Sequence, residues 1–540
     1  MTYIRQRFLR TGHVRRPALR IRDQNQEKGA SIMHPARKIY CRTFQSVLKF
    51  AIPFLPYRHP KIIGSVRGIP EVLKKKKCRS VLIVTDKGIA NLGMLRRLKK
   101  SLRENHITYV IYDKTVANPT TVNVYEAAAL YHSGHCSAII AFGGGSSIDC
   151  AKAVGVKIAR PDKPLAKMKG ILKVHTKLPL LIAIPTTAGT GSETTIAAVI
   201  TDAETRHKYT INDFPLIPRY AVLDPEVTVS LPPFITACTG MDALTHAVEA
   251  YIGNSTTPGT RKNALMAVSL IFKNLDTAVK DGTNLEARKN MLKASYYAGC
   301  AFTKSYVGYV HAVAHSLGGA YNIPHGYANA VLLPYVLDSY GECIHKKLHA
   351  LAVAAGIAKR DIPHYKGARL FIYAIQNMKK RYGIGNTIEE IREEDIPKLA
   401  HYADKEANPL YPVPVLMNAE ELEKFYYMLM PKKKRQPAPK MDFKEYARKA
   451  AAKRAAEAAA QASAKAPEKP ETTTQPSAKT PEKSETAAQP SDSAPEKAGT
   501  TAQASDRTPE EAGTTAQPSD SAPEKSETAE TVSSDSKTEE

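Results

Sequence analysis

No C-x-x-C pair occurs among the seven cysteines of this chain, which stand far apart at Cys41, Cys78, Cys136, Cys150, Cys238, Cys300 and Cys343. An odd, widely spaced set argues against a disulfide framework and a thiolate zinc site, and makes a reducing cytoplasm the expected compartment. No apolar run reaches the ~18 residues that a membrane-spanning helix needs, and the most apolar early segment, residues 50–55, is broken by Pro53. The N-terminus is rich in Arg but has no apolar core segment, so it does not read as a secretory signal. Tryptophan is absent, which restricts no fold class.

What is present is length, charge and a clear division into regions. A chain of 540 residues with 43 % hydrophobic content has room for two or three domains and a sizeable core. The formal charge of +25 favours contact with anions, and where it sits matters more than its sum. Residues 1–40 carry seven arginines from Arg5 to Arg22 and few acids, and read as a basic flexible arm. A start at Met33, nucleic-acid binding and organelle targeting are the alternatives for this arm; its sparse aromatics give little support to a stacking surface. Residues 431–540 read as a low-complexity tail. Within it Pro-Glu recurs at Pro467, Pro481, Pro495, Pro509 and Pro523, a spacing of 14. Such polar, Pro-bearing units suit an extended tether rather than a packed solenoid, and the tails offer a route to tethering on protein or nucleic acid.

Between these ends the pattern changes once. Over residues 41–222 buried strands at 80–85, 108–112, 137–142 and 180–184 alternate with helical stretches such as 92–104 and 123–133. That alternation predicts an α/β domain with a mostly parallel, Rossmann-like sheet covered on both faces. Over residues 223–430 the strand signal disappears and long helical patterns follow, at 243–252, 261–277 and 290–301. A second, all-α domain is the expectation.

Two loops in the first half carry the marks of phosphate binding. Gly143-Gly-Gly-Ser146 follows a strand and leads into a helix over 149–158. Glycines admit close approach of a phosphate, and the helix start offers unpaired N–H groups. This is not the G-x-G-x-x-G fingerprint, and a tight turn alone would use the same glycines. A second small-residue loop, residues 185–193 (PTTAGTGSE), also follows a buried strand. Two such loops at strand carboxyl ends suit a dinucleotide. Asp86, at the end of the first strong strand, fits either a ribose hydroxyl, while repelling a 2′-phosphate, or the N-cap of the next helix.

The second half holds a different chemistry. Asp242 and His246 are four apart and share a helix face, as do His311 and His315, and His325 follows in Pro324-His-Gly326. Any one of these is most simply a satisfied core or surface residue. Together, a carboxylate with two or three imidazoles and no thiolate is a donor set for Fe(II) or Zn(II).

These motifs, with residues 239–251 (TGMDALTHAVEAY) and 311–315 (HAVAH), resemble the iron-containing alcohol dehydrogenase family in order and spacing across about residues 45–430. The resemblance implies an NAD-binding α/β domain followed by a helical metal domain. It implies Asp242, His246, His311 and His325 as ligands of one divalent metal, Fe(II) before Zn(II). It leaves His315 beside the substrate and nicotinamide as a proton-transfer residue. It further implies that Asp86 faces the adenosine ribose and favours NAD, and that Asn118, Gly144, Gly145, Ser146, Thr186, Thr187, Thr195 and Lys208 contact the cofactor. Lys304, Tyr306 and Ala197 depart from common family residues and bear on the substrate pocket.

The function so implied is hydride transfer between NAD(H) and a small alcohol or its aldehyde or ketone, in a cytoplasmic homo-oligomer with no membrane partner. A polyol or diol dehydrogenase of the same fold is the alternative within enzymes. A scaffold or nucleic-acid-binding protein on an inactive core is the alternative outside them.

Overall fold

The computed structural model describes residues 33–431 apart from Arg206. The expected arm over residues 1–32 and the repeat tail beyond residue 431 lie outside the described residues. The first half is built on a six-stranded sheet, with β1 (Lys61–Ile63), β2 (Ser80–Val84), β3 (Thr108–Tyr112), β4 (Ala138–Gly143), β6 (Leu180–Pro185) and β9 (Tyr220–Val222) in the order β1-β9-β6-β4-β2-β3. Every pairing is parallel, with Val84 opposite Ala141, Ala141 opposite Ala183 and Gly143 opposite Pro185. Apolar residues fill the central strands without alternation, because helices cover both faces. Leu82, Val84, Ile139 and Ala141 pack on one side with Val124, Ala151 and Val154, and Val81, Ile83, Ile140 and Phe142 pack on the other with Leu98 and Leu102.

Chain order fixes where a ligand sits. From β2 the chain moves outward to β3 and then returns to place β4 on the opposite side of β2. That reversal opens a crevice at the carboxyl ends of β2 and β4, the place where doubly wound sheets bind ligands.

A second sheet comprises β5 (Gly170–Ile171), β7 (Ala197–Thr201) and β8 (Lys208–Asn212), in the order β5-β8-β7. It was not legible from strand–helix alternation. β7 and β8 form an antiparallel hairpin with Thr201 opposite Lys208.

The second half is helical from Pro233 onward and gathers one large apolar core. Its helices start where the chain supplies caps. Thr257 and Thr260 form a capping box at helix Pro258–Lys280, and Asn418 and Glu421 do so at Ala419–Leu429.

The expected boundary at residue 40 falls within a helix. Helix Pro35–Ala51 begins inside the supposed arm, with Pro at its first turn and the His34 ring accepting from the Ala36 N–H. Met33, Cys41 and Ile52 join the helical core, so this segment belongs with the second half rather than with the sheet. Polar anchors fix it there. Arg37 makes a two-pronged ion pair with Asp404 at 2.8 and 2.9 Å. Arg42 donates to the Val413 and Pro414 carbonyls, and Gln45 to that of Tyr411.

Candidate metal and cofactor site

Three helices bring four potential donor side chains together. Asp242 and His246 lie on helix Pro233–Ile252, His311 on Tyr309–Tyr321, and His325 is the first residue of His325–Tyr340. The helices meet closely because Gly326 has no side chain: a Cβ there would stand 2.6 Å from the Cys238 carbonyl oxygen. One donor atom from each of the four residues lies within 4.8 Å of all the others. Measured from Asp242 Oδ1, His246 Nδ1 stands at 3.8 Å, His311 Nε2 at 4.0 Å and His325 Nε2 at 3.5 Å. Donors on a tetrahedral ion at ~2.0–2.2 Å would be separated by about 3.3–3.6 Å, so small side-chain shifts suffice.

Neighbouring groups orient these donors. Glu249 holds His311 Nδ1 at 2.5 Å while accepting from the Gly308 and Val310 N–H groups at 2.9 and 2.8 Å. Burial pushes the Glu249 carboxyl up to about 7, against the pull of those backbone donors. Asn329 donates to Asp242 Oδ1 at 2.7 Å, and Phe302 stacks on the His246 ring with centroids 4.2 Å apart. Burial lowers His246 and His311, and pushes His325 down to about 4, so the neutral form of each imidazole is favoured.

His246 Nδ1 and His311 Nε2 are buried without a hydrogen-bond partner among the described residues. Two orphaned nitrogens beside a carboxylate cost free energy unless something accepts their lone pairs. A divalent cation fits that requirement and the N₃O donor set.

His315 stands next to this cluster but outside it. Its ring stacks on His325 at 5.0 Å, and its Nδ1 lies 2.6 Å from Glu406, which also accepts from Tyr411 at 2.7 Å. Burial pulls His315 down, but the Glu406 charge and hydrogen bond outweigh it and hold the imidazole above its usual value. Its side chain is 41 % exposed and so open to solvent.

The cofactor candidates gather at the carboxyl edge of the sheet. Asp86 follows β2 and caps helix Lys87–Asn91, accepting from the Ile89 N–H at 3.0 Å with Oδ1. Its Oδ2 faces the Ser147 hydroxyl at 3.4 Å. Gly144 is the N-cap of helix Gly145–Ala159, which therefore starts four residues earlier than its apolar pattern suggests and offers the free N–H groups of Gly145 and Ser146 to the crevice. Thr186 joins β4 through its N–H to Gly143 O at 3.0 Å, and Thr187 lies opposite Gly144. Lys208 and Asn118 come together from β8 and the loop after β3, with Lys Nζ donating to Asn Oδ1 at 2.7 Å. Asn118 adopts a left-handed φ of 59°. Thr195 is buried rather than open to the crevice and accepts from Lys152.

Lys152 was not foreseen from sequence. It is fully buried, donates to Thr195 Oγ1 and the Ala197 carbonyl at 2.7 Å each, and reaches Ser192 Oγ at 3.2 Å. Asp149 completes the group by accepting from Ser192 at 2.6 Å and from the Val199 N–H at 3.1 Å. The pair ties the first loop's helix to the second loop. Gly191 then docks that loop on helix Leu285–Ser305, where a Cβ would meet Gly299 Cα at 2.9 Å. Glu249 was also missed, although it lies seven residues beyond Asp242 and so on the ligand face. Asn329, four after His325, carried the same signal.

Comparison with known proteins covers both halves. The family described as "Iron-containing alcohol dehydrogenase" matches residues 62–225, and "Fe-containing alcohol dehydrogenase family, C-terminal" matches residues 236–430. The 1,3-propanediol dehydrogenase of Citrobacter freundii is 38 % identical over 363 residues, spanning 66 % of this chain and 93 % of that protein. Alcohol dehydrogenase 4 of Saccharomyces cerevisiae is 37 % identical over 64 % of this chain and 89 % of its own length. Among solved structures, sulfoacetaldehyde reductase from Bifidobacterium kashiwanohense, in complex with NAD+, is 29 % identical with a TM-score of 0.62, over 70 % of this chain and 99 % of that one.

Proposed function

The chain belongs to the iron-containing alcohol dehydrogenase family, and from that membership we propose how its residues divide the work. The enzyme is a metal-dependent oxidoreductase that interconverts a small alcohol and its carbonyl compound by hydride transfer with NAD(H). Asp242, His246, His311 and His325 hold the metal, and Fe(II) is our choice for its identity. The convergence of their donor atoms within 4.8 Å, with two buried nitrogens lacking partners among the described residues, carries this reading.

When bound, the cation supplies Lewis-acid stabilisation of negative charge on the carbinol oxygen, and NAD supplies the hydride acceptor. The chain's own part is position and proton handling. Asp86 receives the adenosine ribose. The N–H groups at Gly145 and Ser146 receive the pyrophosphate, with Gly144, Thr186, Thr187, Asn118 and Lys208 along its path. Thr195 acts from behind, through Lys152. The NAD-binding half runs to residue 222 and the metal half from residue 223, with helix Pro35–Ala51 part of the latter. His315 holds the hydroxyl proton at its free ring nitrogen and passes it to solvent, positioned by Glu406.

For substrate we propose short primary alcohols and diols, since relatives are named for 1,3-propanediol and methanol. A cytoplasmic homo-oligomer is the assembly we infer. Metal analysis of the purified protein, with NADH oxidation followed against a panel of short aldehydes and hydroxyaldehydes, tests this. About one Fe(II) per chain with turnover of short aldehydes is expected. A metal-free protein that still turns over would overturn the site, and a loaded protein inert on the whole panel would overturn the substrate class.

A further inference from the structure

Helix Pro35–Ala51 has two apolar faces, and only one of them packs against the described residues. Cys41, Gln45 and Ile52 are buried against the helical core, with Leu48 half-buried beside them. At about 100° per residue, Ile39, Tyr40, Phe44, Val47 and Phe50 fall together on another sector. All five are exposed, and Phe50 is 77 % so. Phe54, just past the helix end, is 78 % exposed and packs its ring 5.8 Å from that of Phe50, extending the stripe. A contiguous exposed patch of large apolar side chains marks an interaction surface.

The surrounding charge says what kind. No Asp or Glu occurs from Met33 to Pro70. Arg37 is neutralised by Asp404, but Lys38 and Lys49 lie along one side of the stripe, and Arg42 between them engages only backbone carbonyls and the neutral Gln45. The basic flank continues onto the body of the protein. Burial, then the nearby Lys49, Arg261 and Arg42 charges, hold the Lys347 ammonium below its usual value. A two-fold contact with a second copy would set these cations against their own images, with no acid on either helix to receive them. An anionic interface accepts them while its apolar interior accepts the stripe, the arrangement of helices that lie in a membrane surface. No helix among the described residues is long and apolar enough to cross a bilayer.

We propose that the exposed face of helix Pro35–Ala51, continued by Phe54, docks the enzyme peripherally on an anionic lipid surface.

Flotation of the full-length protein with phosphatidylcholine vesicles, and with vesicles that are one-quarter phosphatidylserine, tests this alongside a Val47→Glu/Phe50→Glu variant. The wild type is expected to float with the anionic vesicles, less so at high salt. The double variant is expected to lose at least about tenfold in partitioning while keeping NADH-dependent turnover. Equal binding to both vesicle types would overturn the charge argument. Undiminished binding by the variant would assign the contact to another part of the chain, and would overturn the proposal. So would absence of vesicle binding in a wild type whose sedimentation falls to a smaller species in the variant, an outcome that gives the face to a second copy.

Discussion

Glu249 and His311 are joined by a 2.5 Å contact between Oε2 and Nδ1, and that contact decides which way the imidazole faces. With Nδ1 engaged, Nε2 is left pointing at Asp242 Oδ1, 4.0 Å away, without a hydrogen-bond partner among the described residues. Glu249 has no freedom to turn, because two backbone N–H groups hold its carboxylate. Groups that orient a ligating histidine in this way are worth 10–100-fold in metal affinity or activity. Glu249→Gln is therefore expected to weaken metal binding by about that factor and to recover activity in excess Fe(II). Titration with a competing chelator reads the first effect directly. Wild-type affinity in the variant would show that the contact is structural only.

His311→Ala and His315→Ala should fail in different ways, although the two rings are only 6.0 Å apart. His311 points a lone pair into the cluster, whereas His315 is turned toward Glu406. The first variant is expected to lose its metal. The second is expected to retain it and lose about 10²–10⁴-fold in kcat, the range of a positioned proton-transfer group. Metal content measured beside kcat separates the two. Loss of metal from both variants would make His315 part of the binding set.

The division into a parallel α/β half and a helical half was legible because buried strands and amphipathic helices have different periods. The four converging donors were legible because i, i+4 pairs share a helix face and because the flanking motifs resemble the family. Residues acting through tertiary contact were less so. Lys152 sits three residues after Asp149 in a helix whose pattern is simply apolar, and only the fold brings Thr195 and Ala197 onto its ammonium. Helix Pro35–Ala51 was hidden because its basic composition matches that of the segment before it. Its apolar residues fall on two faces, and which of them is buried becomes clear only when Cys41, flanked by Met33 and Ile52, is seen against the distant helical core. The β7–β8 hairpin was obscured by the segment between its strands, residues 202–207, whose polar residues read as a simple break.

Asp86 caps helix Lys87–Asn91 through Oδ1 and the Ile89 N–H, and the proposed function gives its charge a second task, rejecting a 2′-phosphate. A single substitution can part the two. Serine keeps the capping oxygen and removes the charge. Asp86→Ser is expected to leave thermal stability within about 1 kcal/mol and to shift the NADP-to-NAD ratio of kcat/KM upward by tenfold or more, about 1.4 kcal/mol. An unchanged ratio with unchanged stability would remove the carboxylate from cofactor choice.

Glu193 gives the last prediction, one about pH. The residue is 1 % exposed and its Oε1 has no hydrogen-bond partner among the described residues. Burial raises its carboxyl from an ordinary 4.5 to about 7, with its own backbone N–H and the Lys152 charge opposing. The folded protein therefore binds this proton more tightly than the unfolded chain does. Between pH 4.5 and about 7 folding must hold a proton that the unfolded chain has released, so stability falls as pH rises through this window and levels off above it. Each unit is worth about 1.4 kcal/mol, so over this window the loss is on the order of 3 kcal/mol. Glu193→Gln removes the titrating group and keeps the shape. Urea unfolding of the metal-free proteins at pH 5 and pH 8 is expected to show the variant gaining on the wild type as pH rises. Parallel curves would mean that the charged carboxylate finds compensation in the fold, with Lys152 the first candidate to supply it.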